Sequence, residues 1–148
     1  MDDGLLAVLH HVLVFGLTIM LAMQLALVRE GVGAAELTRV GRIDAGYGLT
    51  AGLILIVGLL RVWYGAKGVE YYTGNPWFWA KMAAFAGVGL LSIPPTLAFI
   101  RWRRALKADA GALPAPAAVA GVRRLLGLEV VLLLLVPVFA ALMARHQG

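Results

Sequence analysis

The chain has 148 residues, 61% of them hydrophobic and 14% charged, with 13 basic against 8 acidic side chains and a mean hydropathy of +0.87. A soluble domain carries about 25% charged residues, so this composition excludes a water-soluble globule and a disordered chain alike. The absence of cysteine excludes disulfides, thiolate-bound zinc, iron–sulfur clusters, thiol nucleophiles and covalently attached c-type haem.

Four apolar runs are long enough to cross a hydrocarbon core, which takes about 20 helical residues. The first covers about 5–28 and contains no charge before Arg29. Its start, Met1-Asp2-Asp3, lacks the basic region of a signal peptide, so it reads as a retained span. The second covers about 45–66 and contains Arg61, and the third covers about 77–100 and contains Lys81. The fourth, about 125–144, contains Glu129. The runs are continuous rather than alternating, which predicts helices and not strands. The expected fold is therefore all-α, a single domain (1–148) built as a bundle of four transmembrane helices. Asn75-Pro76 reads as a helix start. Leu113-Pro114-Ala115-Pro116 reads as a stiff loop. Pro94-Pro95 should kink or break the third helix, and Pro137 should bend the fourth. Gly48 and Gly52 form a GxxxG pattern, and Ala80, Ala83, Ala84 and Gly87 add small residues to span three, both suited to close helix packing.

The connections after spans one and three carry Arg29, Arg39, Arg42, Arg101, Arg103, Arg104, Lys107, Arg123 and Arg124. The positive-inside rule places these connections in the cytoplasm of a bacterial inner-membrane protein, with both termini periplasmic. Orientation and anionic headgroups account for this charge without nucleic acid, for which no recognition motif is present. Trp63, Tyr71, Tyr72, Trp77 and Trp79 form an expected aromatic belt at the outer interface, with Trp102 at the inner one.

Ionisable groups inside spans are costly and face the bundle interior. His10 is five residues into span one, Arg61 five residues from the end of span two, and Lys81 four residues into span three. At 1.5 Å per residue all three lie about 6–8 Å below the outer rim. A second, inner layer holds Glu129, with Gln24, Asp44 and Thr96 at comparable heights. Arg29, Arg42 or Arg101 could reach Glu129, which would then lock the fourth helix or relay protons. The outer layer has three readings. A neutral imidazole can ligate the iron of a b-type haem whose propionates meet Arg61, Lys81 or Lys67. The same cations can instead hold an anionic substrate, or Arg61 and Lys81 can simply snorkel. Tyr64 could add a hydrogen bond beside Arg61. His10 and His11 stand about 100° apart on a helix, so only one points squarely inward. The one remaining histidine, His146, lies in the tail, so a haem here would have one imidazole, a His/Lys pair, or a ligand from a second protomer. The bundle also suits a non-catalytic scaffold or partner subunit, or a small dimeric permease.

The stretches Leu9-His10-His11, Ile43-Asp44-Ala45-Gly46-Tyr47-Gly48-Leu49, Gly74 to Met82 and Leu91-Ser92-Ile93-Pro94-Pro95-Thr96 resemble an uncharacterised family of four-span bacterial inner-membrane proteins. That likeness runs through nearly the whole chain and implies no established activity. More distantly, Val8-Leu9-His10, Trp77-Phe78-Trp79-Ala80-Lys81-Met82 and Glu129 are similar to the HemJ-type protoporphyrinogen IX oxidases and, more loosely, to copper-resistance protein D. This resemblance implies haem b near His10, Lys81 as second ligand or substrate contact, Lys81 and Glu129 in catalysis, and oxidation of a porphyrinogen. The chain departs from the pattern in doubling the histidine at His11 and in placing Trp79 where the oxidases commonly have histidine.

Overall fold

A computed structural model describes residues 3–145. Five helices follow in order: α1 (Asp3–Leu27), α2 (Ala34–Tyr64), α3 (Gly68–Thr73), α4 (Pro76–Ala108) and α5 (Pro116–Arg145). No strand occurs among the described residues. Four of the helices are long and apolar enough to span a membrane. Large apolar side chains face outward along all four, among them Phe15, Leu49, Leu90 and Leu134. That surface suits lipid, which cannot satisfy backbone polar groups and so demands helices.

The helices pair as two antiparallel hairpins, α1 with α2 and α4 with α5, and the hairpins meet through α2–α4 and α1–α5. On α1 the inward stripe runs Leu6, His10, Leu13, Leu17, Leu21, Gln24, Val28, a three-four spacing that keeps one face toward the partners. On α2 the stripe is Leu37, Val40, Asp44, Tyr47, Ile54, Val57. Phe99, Val88, Leu126 and Leu133 complete the core from α4 and α5.

The helices outrun the expected spans at one end. Helix α2 begins at Ala34 rather than about residue 45, α4 continues to Ala108, and α5 starts at Pro116. The reason is amphipathicity. Arg39, Arg42, Arg101, Arg104, Arg123 and Arg124 are exposed while Leu37, Val40, Val119 and Val122 stay buried. Charge ended the apolar runs without ending the helices. The basic connections therefore shrink to residues 28–33 and 109–115. Gly31, at φ 75°, supplies a left-handed turn in the first of them.

The Asn75-Pro76 start holds: the Asn75 side chain caps α4 by accepting from Trp77 N at 3.0 Å, and Pro76 opens the helix. Helix α4 is continuous through Pro94 and Pro95, so no break occurs there, and α5 is continuous through Pro137. The GxxxG expectation needs a correction as well. A Cβ at Gly48 or Gly52 would meet nothing within 4 Å. These glycines border an apolar cavity of about 240 Å³ between α2 and α4, lined also by Leu55, Met82, Phe85 and Gly89. A close approach does occur at Gly87, one of the small residues of the third span, where a Cβ would meet Leu132 of α5 at 3.0 Å. In the aromatic belt, Trp63 and Trp79 are exposed, Trp77 stacks on Phe139, and Tyr72 is buried against Phe78.

Candidate functional site

At the end of the bundle where the chain termini emerge, three helices bring nitrogen-bearing side chains together. The inward stripe of α1 carries His10 onto α2 at Gly58, where a Cβ would lie 3.5 Å from the imidazole Cε1. Arg61 follows one turn later on α2, and Lys81 comes from the second turn of α4. Arg61 and Lys81 are both near enough for their charges to act on the His10 ring, and Arg61 acts on Lys81. Among the described side chains, no acid acts on His10 or Lys81. His10 Nδ1 and Arg61 Nε are buried without a hydrogen-bond partner. The Lys81 ammonium lies 5.2 Å from the centre of the Phe78 ring, a cation–π contact that leaves its hydrogen-bond donors unused.

The neighbours named from sequence fall elsewhere. His11 is exposed, and its Nδ1 lies 2.6 Å from the Ala7 carbonyl of its own helix. Tyr64 is 65% exposed, on the outside of the bundle and turned away from Arg61's buried side. Lys67 is spent on Tyr71, donating to its hydroxyl at 3.3 Å. His146 lies outside the described residues. The rim above the cluster is closed by Asn75 and Tyr71, which both donate to the Met143 carbonyl of α5, at 3.1 and 3.4 Å.

The inner layer assembles at the expected height. Thr96 donates to Asp44 Oδ1 at 3.0 Å, joining α4 to α2. The partner of Glu129 is a correction: Arg29, Arg42 and Arg101 are exposed, and Tyr47 instead donates to Glu129 Oε2 at 3.1 Å across α2 and α5. Arg29 sits in the α1–α2 connection and Arg42 and Arg101 on the outward faces of α2 and α4, whereas Glu129 is 1% exposed. Tyr47 was readable in principle, since it stands three residues after Asp44 on one helical face. Glu129 Oε1 and Gln24 Nε2 are buried and unpartnered. Arg123 was also missed. Its Nη1 donates to the carbonyls of Leu25 and Val28, at 2.6 and 2.8 Å, putting a cation on the carbonyl end of α1.

Lys81 and Glu129 do not share a site. From Tyr47, which holds Glu129, to Arg61, beside Lys81, is 14 residues of α2, about 21 Å at the helical rise. The terminal-end cluster can bind an anion or offer an imidazole nitrogen to a metal. The inner layer ties helices together.

The profile of a family described as predicted membrane protein (DUF2214) matches residues 2–148. No curated protein and no solved structure matches the chain.

Proposed function

The chain belongs to the DUF2214 family of predicted membrane proteins, and we propose that it binds the acid groups of an amphiphilic, membrane-soluble ligand at the terminal end of the bundle. The observation that carries this reading is the meeting of His10, Arg61 and Lys81, from three helices, with no acid among the described side chains acting on His10 or Lys81 and with buried nitrogens left unpartnered on His10 and Arg61. A buried donor without an acceptor is costly, and a carboxylate would serve all three groups at once.

Haem b is the ligand that would use the full set. Arg61 and Lys81 would take its propionates and His10 would offer an axial nitrogen. When bound there, haem would supply one-electron chemistry. Donor chemistry supports this reading: His10 is turned inward and holds a free nitrogen, whereas His11 is bonded to its own helix. Oxidation of a porphyrinogen at this site rests on the motif resemblance at His10, Trp77–Met82 and Glu129. In that case Lys81 would hold a substrate carboxylate, and Glu129 would act only through the bundle, about 21 Å away along α2. The site would face the periplasm of a bacterial inner membrane.

The test is spectroscopic. Protein purified from haem-supplemented cells is expected to show a Soret band that shifts on reduction with dithionite. His10→Ala should abolish it and His11→Ala should retain it. Metal-free protoporphyrin IX separates the two contributions: its fluorescence on binding should survive in His10→Ala and fall in Arg61→Gln and Lys81→Gln. A colourless protein that still binds the free porphyrin removes haem and keeps the carboxylate site. A protein that binds neither leaves a partner subunit or scaffold.

A further inference from the structure

The opposite end of the bundle carries a second, separate arrangement of cations. Helices α2 and α4 diverge there around a cavity of about 260 Å³ lined by Ala34, Thr38, Arg103, Leu106, Lys107 and Ala110. Arg103 and Lys107 are four residues apart and so share one face of α4. Arg103 is half-buried and lies flat on α2 at Gly41. Any Cβ at Gly41 would collide with the Arg103 side chain, with Nη1 and Nε only 3.0 and 3.1 Å away. The glycine is thus what lets the guanidinium settle into the groove.

The nearby acids do not neutralise this pair. Asp109 accepts from the Gly111 amide at 2.9 Å. Glu36 folds back over the start of its own helix, its Oε2 2.8 Å from where a Gly33 Cβ would stand. Depth gives the third argument. Arg103 lies three residues beyond Ile100, the end of the apolar run, and Lys107 seven residues beyond it. These steps correspond to about 4.5 and 10 Å along the helix. The headgroup layer extends about 5–7 Å outside the hydrocarbon on each side. The two cations therefore bracket the level of lipid phosphate, with Leu106 as an apolar wall between them.

We propose that the α2–α4 cleft is a binding site for the phosphate of an anionic phospholipid, held by Arg103 and Lys107 against the helix face that Gly41 leaves open. It is distinct in place and ligand from the terminal-end cluster, and neither depends on the other.

The experiment is native mass spectrometry of the full-length protein released from detergent, with dioleoylphosphatidylglycerol, dioleoylphosphatidylcholine or inorganic phosphate added in turn. The phosphatidylglycerol adduct should survive activation best. Each cation removed, by Arg103→Gln or Lys107→Gln, should weaken it about fivefold, and the double variant about 25-fold, on the usual worth of one basic residue near an anionic surface. Gly41→Ala should weaken it by displacing Arg103. Unchanged thermal melting of the variants on exposed Lys107 provides the control for folding. Equal retention of the two lipids overturns the proposal, as does phosphatidylglycerol binding that the double variant leaves intact. Displacement of the lipid by inorganic phosphate at equal concentration overturns the lipid as ligand and assigns the cleft to a soluble phosphate.

Discussion

The two polar layers inside the bundle are built from similar raw material and solve different problems. In the inner layer, donors and acceptors are matched across helices: Tyr47 to Glu129 and Thr96 to Asp44. Four side chains from three helices are thereby bonded in pairs, while Glu129 Oε1 and Gln24 Nε2 stay unpartnered. In the terminal-end layer, His10, Arg61 and Lys81 bring like charge together and leave donors idle. A matched network stabilises the bundle, whereas an unmatched one of a single sign raises its energy until a counter-charge arrives. Each layer keeps two buried unpartnered atoms, so the comparison teaches that it is the gathering of like charge at Arg61 and Lys81, and not an idle atom alone, that points to a ligand.

That contrast makes the two layers respond differently to mutation. The largest effect is expected from Glu129→Ala, which removes a fully buried side chain and strands the Tyr47 hydroxyl. It should destabilise the bundle by about 2–5 kcal/mol, read as the shift in a reversible unfolding curve in mixed detergent. Next comes Asn75→Ala at the rim of the terminal end. Losing both the α4 cap and the bond to Met143 should cost about 1–2 kcal/mol, measured in the same way. Thr96→Val keeps the shape and deletes the bond to Asp44, for about 0.6 kcal/mol, the average for interhelical bonds in a membrane. The smallest stability effect belongs to Lys81→Gln, within about 0.5 kcal/mol of the parent, because the cation it removes has no carboxylate partner among the described residues. Ligand binding at the terminal end should nonetheless fall. A Lys81→Gln variant that unfolds as readily as Glu129→Ala would erase the distinction between the layers.

Polar groups that face lipid give a third term to the comparison. Thr18 donates to the Val14 carbonyl at 2.9 Å, within its own helix. His11 does the same at Ala7. Local bonding of this kind makes a polar residue tolerable outside the bundle and removes it from candidate sites. Sequence could not separate His11 from His10 on this ground, because both lie in an apolar run with carbonyls four residues before them.

Much of the fold was legible. The four spans, their antiparallel order, the Asn75-Pro76 start and the two heights of polar residues follow from hydropathy and the helical rise. The ends were not legible, since Arg39, Arg42, Arg123 and Arg124 sit on helix rather than loop. A hydropathy window sees their charge and not the buried Leu37, Val40, Val119 and Val122 between them. The double proline does not end its helix, because a missing amide weakens a helix without ending it when neighbouring helices hold both halves in place. Gly48 and Gly52 were misread because small residues permit close contact without requiring it.

Sequence by itself determined that this chain forms four helices long and apolar enough to cross a membrane, and at which heights along them its few polar side chains lie, because both follow from the apolar run length and a fixed rise per residue. Tertiary structure alone decided which way those side chains turn. Helix α1 is apolar on every face, with Leu5, Leu9 and Val12 outside as surely as Leu6, Leu13 and Leu17 inside. Nothing in its pattern sets its rotation. Packing against α2 and α5 sets it, and with it the choice of His10 over His11 and the meeting with Arg61 and Lys81.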